Sequence, residues 1–137
     1  MVNDMSSKKK LLLIGGGGHC RSVLDCVLSS NTYQKIGIID NDPSASTLGI
    51  AVIGSDDDLP KLKDAGWTDA FISVGSVGST GLRHKLYQMV KDIGFTVPSI
   101  IDPSAMIARG VSMGEGVFIG KRVVVNTGSQ IGNCSIL

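Results

Sequence analysis

Four consecutive glycines, Gly15-Gly16-Gly17-Gly18, stand between an aliphatic run, Lys10 to Ile14, and an amphipathic stretch, His19 to Leu28. A glycine turn between a strand and a helix lets the backbone come close to a ligand. It also aims free N–H groups and the helix N-terminus at an anion, as phosphate sites require. Asp40 ends a second aliphatic run, Lys35 to Ile39, about where a carboxylate would hold a ribose hydroxyl. Gly75-Ser76 ends a third run, Ala70 to Val74. Ligands of open parallel sheets bind at the carboxyl ends of the strands, so the three turns together describe a candidate nucleotide site. His19, at the expected start of the helix, could contact a phosphate or a base. The dinucleotide fingerprint is met only in part: Gly15 and Gly17 fit its first two glycines, but Cys20 stands where the third is expected. A turn that merely lets strand and helix pack is the plain alternative.

Little else in the chain has the context of catalysis. His84, within Arg83-His84-Lys85, reads as a surface residue of a helix. Cys20, Cys26 and Cys134 are odd in number and read as reduced thiols. Nowhere do Cys, His and acidic residues cluster with ligand spacing, so no metal site is expected. No Ser or Cys lies in a nucleophile motif, and no catalytic residue is assigned.

The elements that would hold these turns follow from periodicity. Lys10 to Ile14 predicts a buried strand, and His19 to Leu28 a helix with Val23, Leu24, Val27 and Leu28 on one stripe. Lys35 to Ile39 is a second strand, closed by the turn cluster Asp40-Asn41-Asp42-Pro43. Leu48 to Gly54 reads as extended, and Ser55 to Asp58 as a helix start with acids in its first turn and Gly66 past its end. Ala70 to Val74 is the third core strand. Ser79 or Thr80 can cap a helix running to Ile93, with Leu82, Leu86, Met89, Val90 and Ile93 at helical spacing. Phe95 to Val97 predicts a last short strand. Strand, glycine turn, helix, strand and acidic residue open a Rossmann-like unit.

From Ile101 onward one apolar place returns every six residues: Ile101, Ile107, Met113, Ile119, Val125 and Ile131. The fifth place is small or β-branched (Ala105, Val111, Val117, Val123, Ser129, Ser135). The second holds types that tolerate tight turns and positive φ: Asp102, Ala108, Gly114, Gly120, Asn126 and Gly132. No helix has a period of six, and a plain strand alternates in twos, so the pattern predicts a hexapeptide parallel β-helix rather than a meander. Ile107, Met113, Ile119, Val125 and Ile131 should point inward, with Lys121 and Arg122 outward. The stack would hold two coils and the start of a third, and its bare end at Ile136 and Leu137 suggests a cut chain. The expected fold class is α/β, with a Rossmann-like parallel sheet over 8–97 and incomplete hexapeptide repeats over 98–137.

With 137 residues and a formal net charge of +1, the chain has room for one ordinary domain, or a small one with a short appendage. The basic run Lys8-Lys9-Lys10 belongs to a polar tail, residues 1–7 of which should be disordered or foreign. It does not indicate nucleic-acid binding. The four apolar residues after it are too few for a signal peptide, and no segment could span a bilayer. A cytoplasmic location is expected.

The glycine turn ending in His19, Ile39-Asp40-Asn41-Asp42, Val74-Gly75-Ser76 and the string Ile100-Ile101-Asp102-Pro103-Ser104-Ala105 leading into hexads resemble one family. These are the bacterial sugar O- and N-acetyltransferases of the sialic acid and nucleotide-sugar type, which act in surface-glycan biosynthesis. The resemblance covers nearly all of residues 10–137. It implies that the first domain binds the acceptor, a sialic acid or a nucleotide-linked amino sugar, with Gly15, Gly17, Gly18, His19, Asp40, Asn41, Gly75 and Ser76 at acceptor-site positions. It further implies a left-handed β-helix that forms a homotrimer and binds acetyl-coenzyme A (acetyl-CoA) between neighbouring helices.

One departure matters for mechanism. The family uses a β-helix histidine as general base, and no histidine occurs in residues 98–137. One alignment puts Gly132 and Asn133 where Glu and His belong; the preferred one ends the chain a few residues before the base. Either way the chain should be inactive, with most of the donor site missing. A non-catalytic nucleotide-sugar-binding or assembly module, or a small NAD-binding regulator, are the competing readings.

Overall fold

Lys10–Ile14 (β1) is apolar on both faces, as a central parallel strand requires: Leu11, Leu12 and Leu13 have no exposed surface. The computed structural model describes residues 9–75 and 81–137; the tail at 1–7, Ser76 and the capping candidates Ser79 and Thr80 lie outside the described residues. After β1 the chain forms helix α1 (Gly18–Ser30), strands β2 (Lys35–Ile39), β3 (Ser46–Thr47) and β4 (Ile50–Gly54), and a 3-10 turn at Asp56–Asp58. Helix α2 (Leu59–Asp64), strand β5 (Asp69–Ile72) and helix α3 (Gly81–Ile93) follow.

The sheet order is β3-β4-β2-β1-β5, with only the β3–β4 pair antiparallel. The chain therefore builds outward from β1 through β2 and β4, then returns to add β5 on the opposite side. That reversal opens a crevice beyond the carboxyl ends of β1 and β5. Alternate residues of β1 serve different layers. Leu11 and Leu13 pack with α1 through Cys20, Val23, Leu24 and Val27, whereas Leu12 and Ile14 pack with Leu59 of α2 and Leu86 and Val90 of α3. The α1 stripe is displaced from the expected one: Leu28 is 45% exposed, and Cys20 takes its place toward the sheet. The strand expected at Phe95 to Val97 is reduced to a bridge between Thr96 and Asp69.

The remaining six strands are two residues each: Ile100–Ile101 (β6), Met106–Ile107 (β7), Ser112–Met113 (β8), Phe118–Ile119 (β9), Val124–Val125 (β10) and Gln130–Ile131 (β11). They pair in parallel as β6–β9, β7–β10 and β8–β11, giving three faces and two stacked rungs. First-place and fifth-place residues converge between the faces, where Val117, Ile119 and Val125 are buried with Ile107, Met113 and Ile131 around them. Ile101 is the exception at 39% exposure.

The left-handed backbone positions differ from expectation. They fall at the fourth place of every unit after the first, at Gly110, Gly116, Arg122, Gly128 and Cys134, with φ between 59° and 82°. Gly114, at the second place, answers a different need, close stacking: a Cβ there would run into the Asn133 side chain of the next rung.

Each face presents its sixth-place residue outward, and the three faces meet different surroundings. Ile100 and Phe118 are buried in the α1 layer, with Ile136 packed beside them. Met106 and Val124 are 69% and 67% exposed, and Ser112 and Gln130 are exposed. Arg122 projects outward as expected. Lys121, also expected there, is 53% exposed but ion-paired to Asp25 of α1 at 2.9 Å and to Asp102 at 3.0 Å.

Candidate functional site

The turn after β1 is tied on both sides. The Gly15 N–H donates to the Ile39 carbonyl at 2.8 Å, and the Ser73 hydroxyl donates to the Gly15 carbonyl at 2.6 Å. Gly15 has φ +109°, and a Cβ there would lie 2.6 Å from Val74 Cγ2, so only glycine lets the ends of β1 and β5 approach this closely. The Gly16 N–H donates to Asp40 Oδ2 at 2.7 Å. Two of the amides expected to be free for an anion are therefore committed within the protein. Gly17 and Gly18 differ: among the described residues nothing lies within 4 Å of where their Cβ atoms would stand, and no side chain caps α1. The first-turn amides of α1 thus have no side-chain acceptor among the described residues.

Asp40 is likewise engaged before any ligand arrives. Its Oδ1 accepts the Asp42 N–H at 2.9 Å while Oδ2 holds Gly16. A carboxylate offers about four lone-pair sites, so it retains capacity for a ribose hydroxyl.

Gly15, Asp40 and Asn41 line a cleft of about 140 Å³ at the β1–β5 reversal. Its other walls were not anticipated: Asp56 of the 3-10 turn, Val74 after β5, and Leu82 and Leu86 of α3. Burial, followed by the charges of Asp57 and Asp40, holds the Asp56 carboxyl above its ordinary pKa. Two carboxyls on one rim suit hydroxyl and amino donors, whereas the neighbouring α1 N-terminus suits phosphate. Asp56 could have been suspected only from its place in an acidic helix start, which is a signal shared with ordinary caps.

His19 does not line the cleft. Its ring stands edge-to-face with Phe118 of β9, centroids 5.2 Å apart at 89°. Its Nε2 is buried with no partner among the described residues. Burial, then the Arg83 charge, lowers its pKa, so the imidazole is neutral at pH 7. Gly75 is adjacent, its Cβ position 3.7 Å from that of His19. Ser76 lies outside the described residues.

No thiol here is poised to react. Burial pushes Cys20 up, and burial together with Asp102 pushes Cys26 up to about 11. Among the described residues no group of His, Cys, Asp and Glu could hold a metal ion. No helix among them is long and apolar enough to cross a membrane.

Comparison with known proteins places this geometry. The family model of the PglD N-terminal domain matches residues 10–90. A mutant perosamine N-acetyltransferase from Caulobacter crescentus, solved with CoA and GDP-perosamine, is 34% identical with a TM-score of 0.85, over 93% of this chain and 59% of that one. PerB from the same organism, also with CoA and GDP-perosamine, is 35% identical with a TM-score of 0.85, over 93% and 58%. The acetyltransferase domain of PglB from Neisseria gonorrhoeae, with acetyl-CoA, is 28% identical with a TM-score of 0.85, over 93% and 60%. The chain thus spans about three-fifths of the length of these solved structures. No curated protein sequence matches it.

Proposed function

The chain belongs to the PglD N-terminal domain family, and on that premise we propose that it is the acceptor-binding part and first coils of an acetyl-CoA-dependent sugar acetyltransferase. The acceptor is a nucleotide-linked amino sugar, with acetyl-CoA as donor. What carries the proposal is the cleft: it lies at the β1–β5 reversal, beside an uncapped helix N-terminus and under a carboxylate rim. The diphosphate takes the amides at Gly17, Gly18 and His19, and the nucleoside takes Asp40, Asn41 and Asp56. Gly15 supports the floor, and Gly75 continues the β5 side; Ser76 remains a proposed acceptor-site residue from sequence alone. GDP-perosamine in two of the similar structures supports a nucleotide-sugar over free sialic acid.

Residues 8–97 form the Rossmann-like acceptor domain and residues 98–137 the hexapeptide-repeat, left-handed β-helix segment. The exposed pair Met106 and Val124 on one face favours a homotrimer, in which a neighbouring copy covers it. The place of action is the bacterial cytoplasm, in surface-glycan assembly. No residue of this chain serves as the general base: residues 98–137 hold no histidine, and His84 is exposed on α3. Titration calorimetry with UDP-, GDP- and CMP-sugars, free sialic acid and NAD tests the proposal. Binding of a nucleotide-sugar is expected; binding of NAD alone would refute it.

A further inference from the structure

Helix α3 is a wall shared by two parts of the molecule. Leu82 and Leu86, one turn apart, line the cleft. Arg83 and Tyr87, on the adjacent stripe, reach the hexapeptide units instead. Tyr87 donates to Glu115 at 2.5 Å, and Lys91, one turn further, pairs with the same carboxylate at 2.9 Å.

Arg83 is the unusual member of that stripe. It is 7% exposed, yet no carboxylate among the described residues forms an ion pair with it. Its guanidinium is spent on two carbonyls from opposite sides: Nε donates to Val74 O at 3.1 Å and Nη2 to Cys134 O at 2.6 Å. Val74 is a wall of the cleft, lying where a Cβ on Gly15 would be. Cys134 is a non-glycine residue at φ +61°, a conformation that persists only where its surroundings hold it. Its N–H is fixed by Glu115 O at 2.9 Å, and its carbonyl by Arg83. A planar fork of donors can bridge two carbonyls in this way, whereas a lysine ammonium is a single point charge on a flexible stem.

We propose that Arg83 is a positioning residue: through Val74 and Cys134 it sets the last hexapeptide units against the cleft, so that filling the cleft steadies residues 131–137. The coupling to ligand rests on the cleft being the nucleotide-sugar site; the strut itself does not.

Amide hydrogen exchange on this chain tests both, with Arg83→Met and Arg83→Lys, alone and with a saturating GDP-hexose whose Kd is measured by calorimetry. The reporters are the N–H groups of Cys134, Phe118 and Leu137, bonded across rungs to Glu115, Ser135 and Phe118. Without ligand, Arg83→Met should speed their exchange by about tenfold and leave β1 unchanged, with Arg83→Lys between the two. In the wild type, ligand should slow these amides. In Arg83→Met it should bind within about threefold of the wild-type Kd yet no longer slow them, a separation that a purely structural loss would not produce. Unchanged exchange in ligand-free Arg83→Met overturns the strut, and ligand that binds the wild type without slowing the reporters overturns the coupling. If no GDP-hexose binds the wild type, the coupling falls with the acceptor assignment, while the ligand-free comparison still decides the strut. Should Arg83→Met not fold, Arg83→Lys is read by the same criteria.

Discussion

The Asp40 carboxylate holds the Gly16 amide at 2.7 Å across 24 residues of sequence. The acid that ends β2 therefore shapes the glycine turn that follows β1, and a ligand meets the two as one unit. Asp40→Ala should weaken nucleotide-sugar binding by about tenfold or more, since a hydrogen bond to a charged group is worth about 1.5–3 kcal/mol. It should also loosen the turn, raising exchange at Gly16. Calorimetry showing unchanged affinity would remove Asp40 from the site.

Two glycines separate the fourth place of the hexapeptide unit from the second. Gly128 has φ +82° and open space around it, and Gly132 has open space without the positive φ. Gly128→Ala should destabilise by about 1–2 kcal/mol, the cost of a left-handed L-residue. Gly132→Ala should be neutral or gain about 0.4–1 kcal/mol by restricting the unfolded chain. Denaturant midpoints returning the opposite order would mean that the turn register is misassigned.

Ile119 is fully buried between the three faces, so Ile119→Asp should unfold the segment by stranding a carboxylate among aliphatic groups, at several kcal/mol. Lys121→Asp, which sequence alone suggests is harmless, should also lower the Tm, because it sets a third carboxylate against Asp25 and Asp102. Bonds from Ser104, then Lys121, hold the Asp102 carboxyl well below its ordinary value of 3.8. A depressed folded pKa means stability that is present above 3.8 and lost as pH falls through the lower folded value. The Tm deficit of Asp102→Asn should accordingly be constant from neutral pH down to about pH 4 and shrink below it.

An assay of thiol release from acetyl-CoA with amino-sugar acceptors should show no turnover by these 137 residues. A positioned general base typically contributes about 10²–10⁴-fold, and residues 98–137 hold no histidine to act as one. Turnover that disappears in Asn133→Ala would reassign the chemistry to the last hexapeptide unit.

The first βαβ unit was readable from sequence because its signals are local: aliphatic runs ended by glycine or an acid, with a helical stripe between them. Arg83 was not, since it bonds to two main-chain carbonyls, which leave no trace in residue type, and one of them lies 51 residues away. Lys121 read as a solvated lysine because its partner Asp25 belongs to α1, far off in sequence. The six-residue period was plain, but the left-handed place was disguised. Gly110, Gly116 and Gly128 announce it, while Arg122 and Cys134 occupy it without the usual residue type. Asp56 and the leucines of α3 became cleft walls only once the sheet had set the segments after β4 and β5 around the carboxyl ends of β1 and β2.

The three outward faces also set a rule for insertions and deletions. Strands in adjacent rungs pair at a spacing of 18 residues, and six residues carry the chain from one face to the next. Adding one unit ahead of Phe118 would keep every inward side chain inward but turn all later residues by one face. Phe118 would then look into solvent, and a residue suited to water would be pressed against α1. Adding three units restores every address. Length variation in this segment should therefore be quantised at eighteen, a count set by the α1 contact of Ile100 and Phe118 and not by the hexapeptide itself.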